Sequence, residues 1–148
     1  MRILITGASG LVGTAVTSAL RADDDDVVRF VRPGGNAPFS PGDARWDPAS
    51  GAVNREAMEG AEAIIHLAGA GIADSRWTEA RKKILRRSRI ESTRILVQAI
   101  SKLRRKPRVL LAASAVGYYG DRRDEVLAES SRVGAGFLAE LARDWETE

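Results

Sequence analysis

An α/β fold, with a mostly parallel sheet wound by helices on both faces, is what this sequence predicts, and three observations carry the prediction. Short runs of Ile, Leu and Val alternate with longer stretches free of Pro and Gly, in the order strand, helix, strand, strand, strand, helix, strand, helix. Glycines close several of the apolar runs, where a tight turn into the next element is needed. A length of 148 residues with 44% hydrophobic and 29% charged content suits one globular domain around one core.

Arg2 to Thr6 is apolar, too short for a helix and stopped at once by Gly7, so it reads as a buried strand. Gly7-Ala-Ser-Gly10-Leu-Val-Gly13 follows, leading into a helix of about Leu11–Arg21. In such a junction one glycine permits the turn and a second lets the backbone approach a diphosphate. A third lets helix and strand pack closely, while the free N–H groups and dipole at the helix start attract the anion. The strand before and the helix after separate this pattern from an ordinary glycine loop, so dinucleotide binding is expected.

Asp23 to Asp26 forms a charged turn, Val27 to Val31 a second strand, and Arg32-Pro33-Gly34-Gly35 breaks it. In a dinucleotide fold an acid about 20 residues past the glycines takes the ribose 2′-OH of NAD, whereas an Arg accommodates the 2′-phosphate of NADP. The four Asp residues precede the strand, and the residue at its carboxyl end is Arg32. A guanidinium there would form charge-assisted hydrogen bonds to a phosphate, so NADP is the expected cofactor and NAD the second choice. A solvated Arg at a strand end is the plain alternative.

Asn36 to Gly51 carries three of the five prolines and reads mostly as loop, with Ala44–Asp47 as a short third strand. Arg55–Glu59 is at most a brief helix, and Ala61–Gly69 is a strong buried strand. Its lone His66 reads as a core or strand-end histidine holding a hydrogen bond, not as a catalytic group. From Trp77 to Leu103 no Pro or Gly interrupts the longest helix, which sets Trp77, Ala80, Ile84, Ser88, Ser92, Ile95, Ala99 and Leu103 on one face. Two serines within that face, with Arg89 beside them, imply a close approach of backbone to sheet or cofactor. Arg108–Ser114 is another buried strand, Ala115–Gly120 its exit loop, and Gly136–Glu148 a last helix with Phe137, Leu138, Leu141 and Trp145 at helical spacing. Arg32, Ala68-Gly69 and Ser114 would then all stand at carboxyl ends of strands, where open parallel sheets bind ligands.

Composition excludes other classes. Without cysteine there are no disulfides or thiolate metal sites, and with one histidine a protein-only zinc site is not expected. No apolar run approaches the roughly 20 residues that span a bilayer, and the N-terminus lacks a signal-peptide pattern, so a cytoplasmic protein with no membrane partner is expected. Net charge is +3, with basic residues crowded between Arg76 and Arg108. Such a stripe is the footprint of nucleic-acid binding, but aromatic content of 5% leaves few stacking groups. A solvated helix face is the favoured reading, with a small-molecule substrate as partner and no nucleic acid.

Thr6-Gly-Ala-Ser-Gly-Leu-Val-Gly13 resembles the T-G-x-x-G-x-x-G of the extended short-chain dehydrogenase/reductases, the NAD(P)-dependent sugar epimerase/dehydratase family. Ile65-His-Leu-Ala-Gly69, Ser88-Arg89 through Thr93, and Ala113-Ser-Ala-Val-Gly-Tyr-Tyr-Gly120 are similar to the same family. Together with Val31-Arg32, Trp46-Asp47-Pro48, Arg76-Trp77 and Phe137-Leu-Ala-Glu…Trp145-Glu146, they resemble its branch labelled nucleoside-diphosphate-sugar epimerases. The resemblance implies a Rossmann-like sheet, incomplete at the C-terminus, with residues 1–148 as an NAD(P)-binding domain forming the N-terminal part of a longer family pattern. It also implies that Gly7, Ser9, Gly10, Leu11 and Val12 line the diphosphate and Arg32 meets the adenosine phosphate. Leu67, Ala68 and Gly69 would take the adenine or ribose side, Arg89 a cofactor group, and Ser114 would match the active-site Ser/Thr.

One departure divides the functional reading. The family's Tyr-x-x-x-Lys pair, in which Lys lowers the tyrosine pKa for proton transfer while the nicotinamide takes hydride, falls on the helix after this strand. Here that helix offers Phe137 and Leu141, which do not titrate. Tyr118 and Tyr119 each precede an Arg by four residues, Arg122 and Arg123, but lie in the exit loop and match the family's Tyr-Gly turn. Ser114 and Tyr119 are the catalytic candidates, with binding or packing the other role for the tyrosines. The resemblance thus implies an NADP-binding oxidoreductase acting on a sugar nucleotide or related carbonyl or alcohol. The missing pair motivates the alternative, a non-catalytic NADP-binding or sensing module.

Overall fold

The computed structural model describes residues 1–35 and 38–148, so Asn36 and Ala37 of the expected loop lie outside the described residues. The first half comprises β1 (Arg2–Thr6), α1 (Leu11–Ala22), β2 (Asp26–Val31), β3 (Ala44–Asp47), β4 (Ala52–Val53), α2 (Arg55–Met58) and β5 (Ala63–His66). Then come α3 (Glu79–Arg86), a π-helical turn (Arg87–Glu91), α4 (Ser92–Ser101), β6 (Val109–Ala112), a 3-10 turn (Val116–Tyr119) and α5 (Phe137–Glu146).

The six strands lie in the order β4-β3-β2-β1-β5-β6, parallel throughout except for the antiparallel β3–β4 pair. The chain builds outward from β1 through β2 to β3, then returns to the other side of β1 for β5 and β6. This Rossmann-like reversal leaves a crevice outside the carboxyl ends of β1, β2 and β5. β4 was not expected: its two residues are defined by pairing Trp46 with Val53 and Asp47 with Ala52, not by any periodicity of their own.

Alternation along β1 assigns the faces. Leu4 joins Val28, Phe30, Trp46, Ile64, Leu96, Ala99 and Leu103 on the side covered by α4, while Ile3 and Ile5 join Val27 and the partly buried Val16 and Leu20 of α1 on the other. The sheet is therefore doubly wound, as β1 fully buried on both faces requires.

The long helix corrects the expected single stripe. In α4, Ser92, Leu96, Ala99 and Leu103 beyond its end are buried, but upstream Trp77, Ala80 and Ile84 are exposed and Leu85 is buried instead. A stripe of period 3.6 does not run unbroken through a π turn, whose bonds close five residues apart. Within this turn the Ser92 hydroxyl shares its proton between the Ser88 carbonyl at 2.7 Å and the Arg89 carbonyl at 3.0 Å.

Contacts divide the chain into two compact units, Met1–Ala112, which holds the whole sheet, and Ala113–Glu148. Within the second, the 3-10 turn packs on α5, with Gly117 close against Leu138, and the Gly134 amide donates to the Tyr118 carbonyl at 2.9 Å. Ala139, Leu141, Ala142 and Trp145 form the buried stripe of α5.

Candidate functional site

The glycine turn after β1 divides its three glycines by what the fold demands of them. Gly7 has φ +70°, and a Cβ there would sit 2.6 Å from the Leu67 carbonyl carbon, so the approach of β1 to the β5 exit excludes a side chain. At Gly13 a Cβ would collide with the Gly7 carbonyl as α1 crosses the turn. Gly10 differs: its Cβ would meet only the Gly7 oxygen, at 3.4 Å. Packing does not require that glycine, and the space beside it is open.

Gly10 caps α1 with no side-chain hydrogen bond, and no acidic residue stands in the first turn. The Gly10 carbonyl accepts from the Thr14 amide at 2.8 Å. The amides of Leu11, Val12 and Gly13 precede any intrahelical acceptor, so the positive end of the helix dipole faces outward unneutralised.

A crevice of about 350 Å³ opens at this point. It brings together seven of the ten expected cofactor residues, Gly7, Ser9, Gly10, Arg32, Leu67, Ala68 and Gly69. Leu11, Val12 and Arg89 are not in its lining; Leu11 and Val12 stand exposed on the first turn of α1. Phe30, Trp46 and Pro48 complete the wall from β2 and β3, and Ile84 and Ser88 add a wall from the helix. Ile84, 50% exposed, is thus an apolar side chain facing the crevice instead of the core. Arg32 is exposed and forms no ion pair among the described residues.

The helix holds the β5 exit loop at both backbone polar groups of Ala70. The Ala70 amide donates to Ser88 Oγ at 3.0 Å, and Arg89 Nη1 donates to the Ala70 carbonyl at 3.0 Å. The Arg89 guanidinium lies against Gly69, where a Cβ would come within 3.1 Å of Cζ. Burial lowers the pKa of Arg89, with the neighbouring charge of Arg81 adding to the effect, yet a guanidinium remains charged at neutral pH.

His66 sits beneath the crevice, wholly buried at the end of β5. Nδ1 is 2.6 Å from Thr6 Oγ1, Nε2 is 3.1 Å from Thr93 Oγ1 and 3.4 Å from Ser92 Oγ, and Trp46 meets the ring edge-on. Ser92 directs its proton to backbone carbonyls, so it can only accept from the ring, which favours the proton on Nε2 and makes Thr6 the donor to Nδ1. Burial pulls the ring pKa down to about 4, so His66 is neutral and structural at neutral pH.

In the second unit the Ser114 hydroxyl donates to Glu146 Oε1. Tyr118 and Tyr119 stack edge to face with centroids 5.2 Å apart, and Tyr119 shares a recess with Ser114, Glu129 and Glu146. Leu141 is 2% exposed and serves packing. Among the described residues no group of three or more His, Cys, Asp or Glu could hold a metal ion, and no helix is long and apolar enough to cross a membrane.

A model of the NAD dependent epimerase/dehydratase family matches residues 3–135. The chain belongs to that family. It is 43% identical over 145 residues to the epimerase family protein Mb2239 of Mycobacterium bovis, covering 98% of this chain and 46% of the relative. The solved nucleoside-diphosphate sugar epimerase of Corynebacterium glutamicum is 35% identical with a TM-score of 0.81, over 99% of this chain and 29% of that one. The human epimerase family protein SDR39U1, solved with NADPH, is 31% identical with a TM-score of 0.82, over 99% of this chain and 48% of that one. The chain spans about half the length of the curated relatives it matches.

Proposed function

We propose that the crevice binds NADP and that residues 1–148 act as the cofactor-binding domain of an epimerase/dehydratase-type oxidoreductase, working in the cytoplasm on a sugar nucleotide or a related carbonyl or alcohol. The observation that carries this reading is the open space at Gly10 beside the uncapped start of α1, with Arg32 across the crevice. Gly7 makes the turn, and the backbone of Ser9, Gly10, Leu11 and Val12 presents amides to the diphosphate. Leu67, Ala68 and Gly69 border the adenine or ribose, and Arg89 reaches a cofactor group from the helix. Arg32 takes the 2′-phosphate, which favours NADP over NAD. The human relative solved with NADPH supports the same preference.

When bound, the nicotinamide supplies the hydride acceptor or donor. On the protein side, Ser114 and Tyr119 are the proposed catalytic residues. With its proton directed to Glu146, Ser114 keeps lone pairs free to accept from a substrate hydroxyl. The second reading, a binding or sensing module without turnover, is favoured by Phe137 and Leu141 where the proton-transfer pair would stand.

Titration with NADPH followed by its fluorescence tests the first reading, and no change up to millimolar cofactor removes it. Arg32→Ala is expected to weaken NADPH about tenfold or more while NADH barely moves, as loss of one charge-assisted pair predicts; equal loss for both removes the 2′-phosphate role. Gly10→Ala is expected to leave the unfolding midpoint unchanged and to abolish binding of either dinucleotide. Hydride turnover on a carbonyl panel, with Ser114→Ala and Tyr119→Phe as controls, separates enzyme from module.

A further inference from the structure

The recess in the second unit, of about 520 Å³, holds both proposed catalytic residues, and its other groups decide what can enter. Around Ser114 and Tyr119 the lining supplies Tyr118, Glu129 and Glu146, and among the described residues no Lys or Arg lines it. Glu146 is tied to Ser114 directly. Its Oε1 accepts the Ser114 hydroxyl, and its side chain makes no other bond among the described residues, so the second carboxylate oxygen stays open. With that proton committed, Ser114 offers a ligand only lone pairs, and a carboxylate has no proton to give. The Glu129 carboxylate, exposed as well, has no hydrogen-bond or ion-pair partner among the described residues.

The arginines of this unit do not offset the charge. Arg122 is closed on Glu125 in a two-pronged pair, Nε to Oε2 at 2.7 Å and Nη2 to Oε1 at 2.8 Å. Arg143, within electrostatic reach of Tyr118, gives Nε and Nη2 to Asp144 at 3.0 and 2.7 Å. Arg123 and Arg132 are exposed and stand outside the lining. Residues 113–148 carry eight Asp and Glu against four Arg and no Lys, in a chain whose net charge is +3. A ligand in this recess must therefore bring donors and must not bring negative charge. An added carboxylate would face Glu146 and Glu129 with no cation in the lining, and like charges brought together count against the wrong ligand.

We propose that Glu146 is a specificity residue of this recess, admitting a sugar whose ring carries hydroxyls and refusing the same sugar oxidised to a uronate. The proposal rests on the reading above that Ser114 and Tyr119 face the substrate, and it narrows the substrate class within that reading.

NMR titration of the isotope-labelled chain with UDP, UDP-glucose and UDP-glucuronate, followed at the amides of Ser114, Tyr119 and Glu146, tests it. The two sugar nucleotides differ only in a hydroxymethyl group against a carboxylate. UDP-glucose is expected to move those amides with at least about fivefold higher affinity than UDP-glucuronate, and UDP alone to leave them in place. Glu146→Gln keeps an acceptor for Ser114 and removes the charge, so it should bring the two affinities within about twofold by strengthening UDP-glucuronate. Glu146→Asp, which keeps the charge on a shorter arm, should hold the preference. Equal or reversed affinities in the unmodified chain, or a preference that survives Glu146→Gln, overturn the proposal and leave Ser114 and Tyr119 facing substrate. A preference lost in Glu146→Asp as well assigns it to shape and overturns the role of charge. Amides that stay unmoved even at millimolar UDP-glucose, or that move equally with UDP alone, remove the reading of the recess as the sugar site.

Discussion

β1 and β6 are built from the same kind of residues and occupy opposite surroundings. Ile3, Leu4 and Ile5 are 2%, 0% and 0% exposed, whereas Val109, Leu110 and Leu111 are 45%, 36% and 56% exposed. β1 is bonded to β2 and β5 and lies between α1 and α4; among the described residues β6 is bonded only to β5, at the sheet edge. An apolar run states that a strand needs covering, and topology alone states whether it is covered.

That contrast can be broken in order of expected effect. Leu4→Ala empties a closed site in the centre of the core and should cost about 3 kcal/mol or more in urea unfolding; a loss under about 1 kcal/mol would mean that β1 is not the buried centre. Next is His66, which is paired beside β1 through Thr6. Its folded pKa of about 4 lies below the ordinary 6.5, so between those values the unfolded chain binds a proton that the folded chain refuses. Stability should therefore fall as pH drops through that window, by up to about 3 kcal/mol. His66→Gln should flatten that part of the pH profile, and parallel profiles would assign the acid sensitivity to carboxylates instead. Leu111→Ser, at the exposed edge, should change stability by only about 0.5 kcal/mol in urea unfolding. A cost comparable to that of Leu4→Ala would show β6 to be covered in solution.

The sequence carried the local part of this architecture. β1 and β3 begin and end as expected, and β2 and α1 do so within a residue, because turn residues bracket short apolar runs there. Gly7, Gly10, Arg32 and the β5 exit were legible in the same way, since each stands at a punctuated strand end. The wall formed by Phe30 and Trp46 was not, because it depends on the pairing of β2 with β3, in which Phe30 lies beside Ala44. The ion pair of Arg29 with Asp43 joins residues 14 apart with nothing local to couple them, and the π turn in the long helix disrupts the very period by which that helix is read.

That wide turn also separates two jobs along one rod. Within it Ser88 and Arg89 grip the backbone of Ala70 at the mouth of the crevice; just downstream Ser92 and Thr93 seat the imidazole at its floor. A π turn carries about one residue more than an α turn over the same stretch, so the residues after it meet the sheet one position later in the sequence than unbroken 3.6 spacing would put them. One helix thereby holds both the mouth and the floor of the cleft, its winding widened where it passes from one to the other.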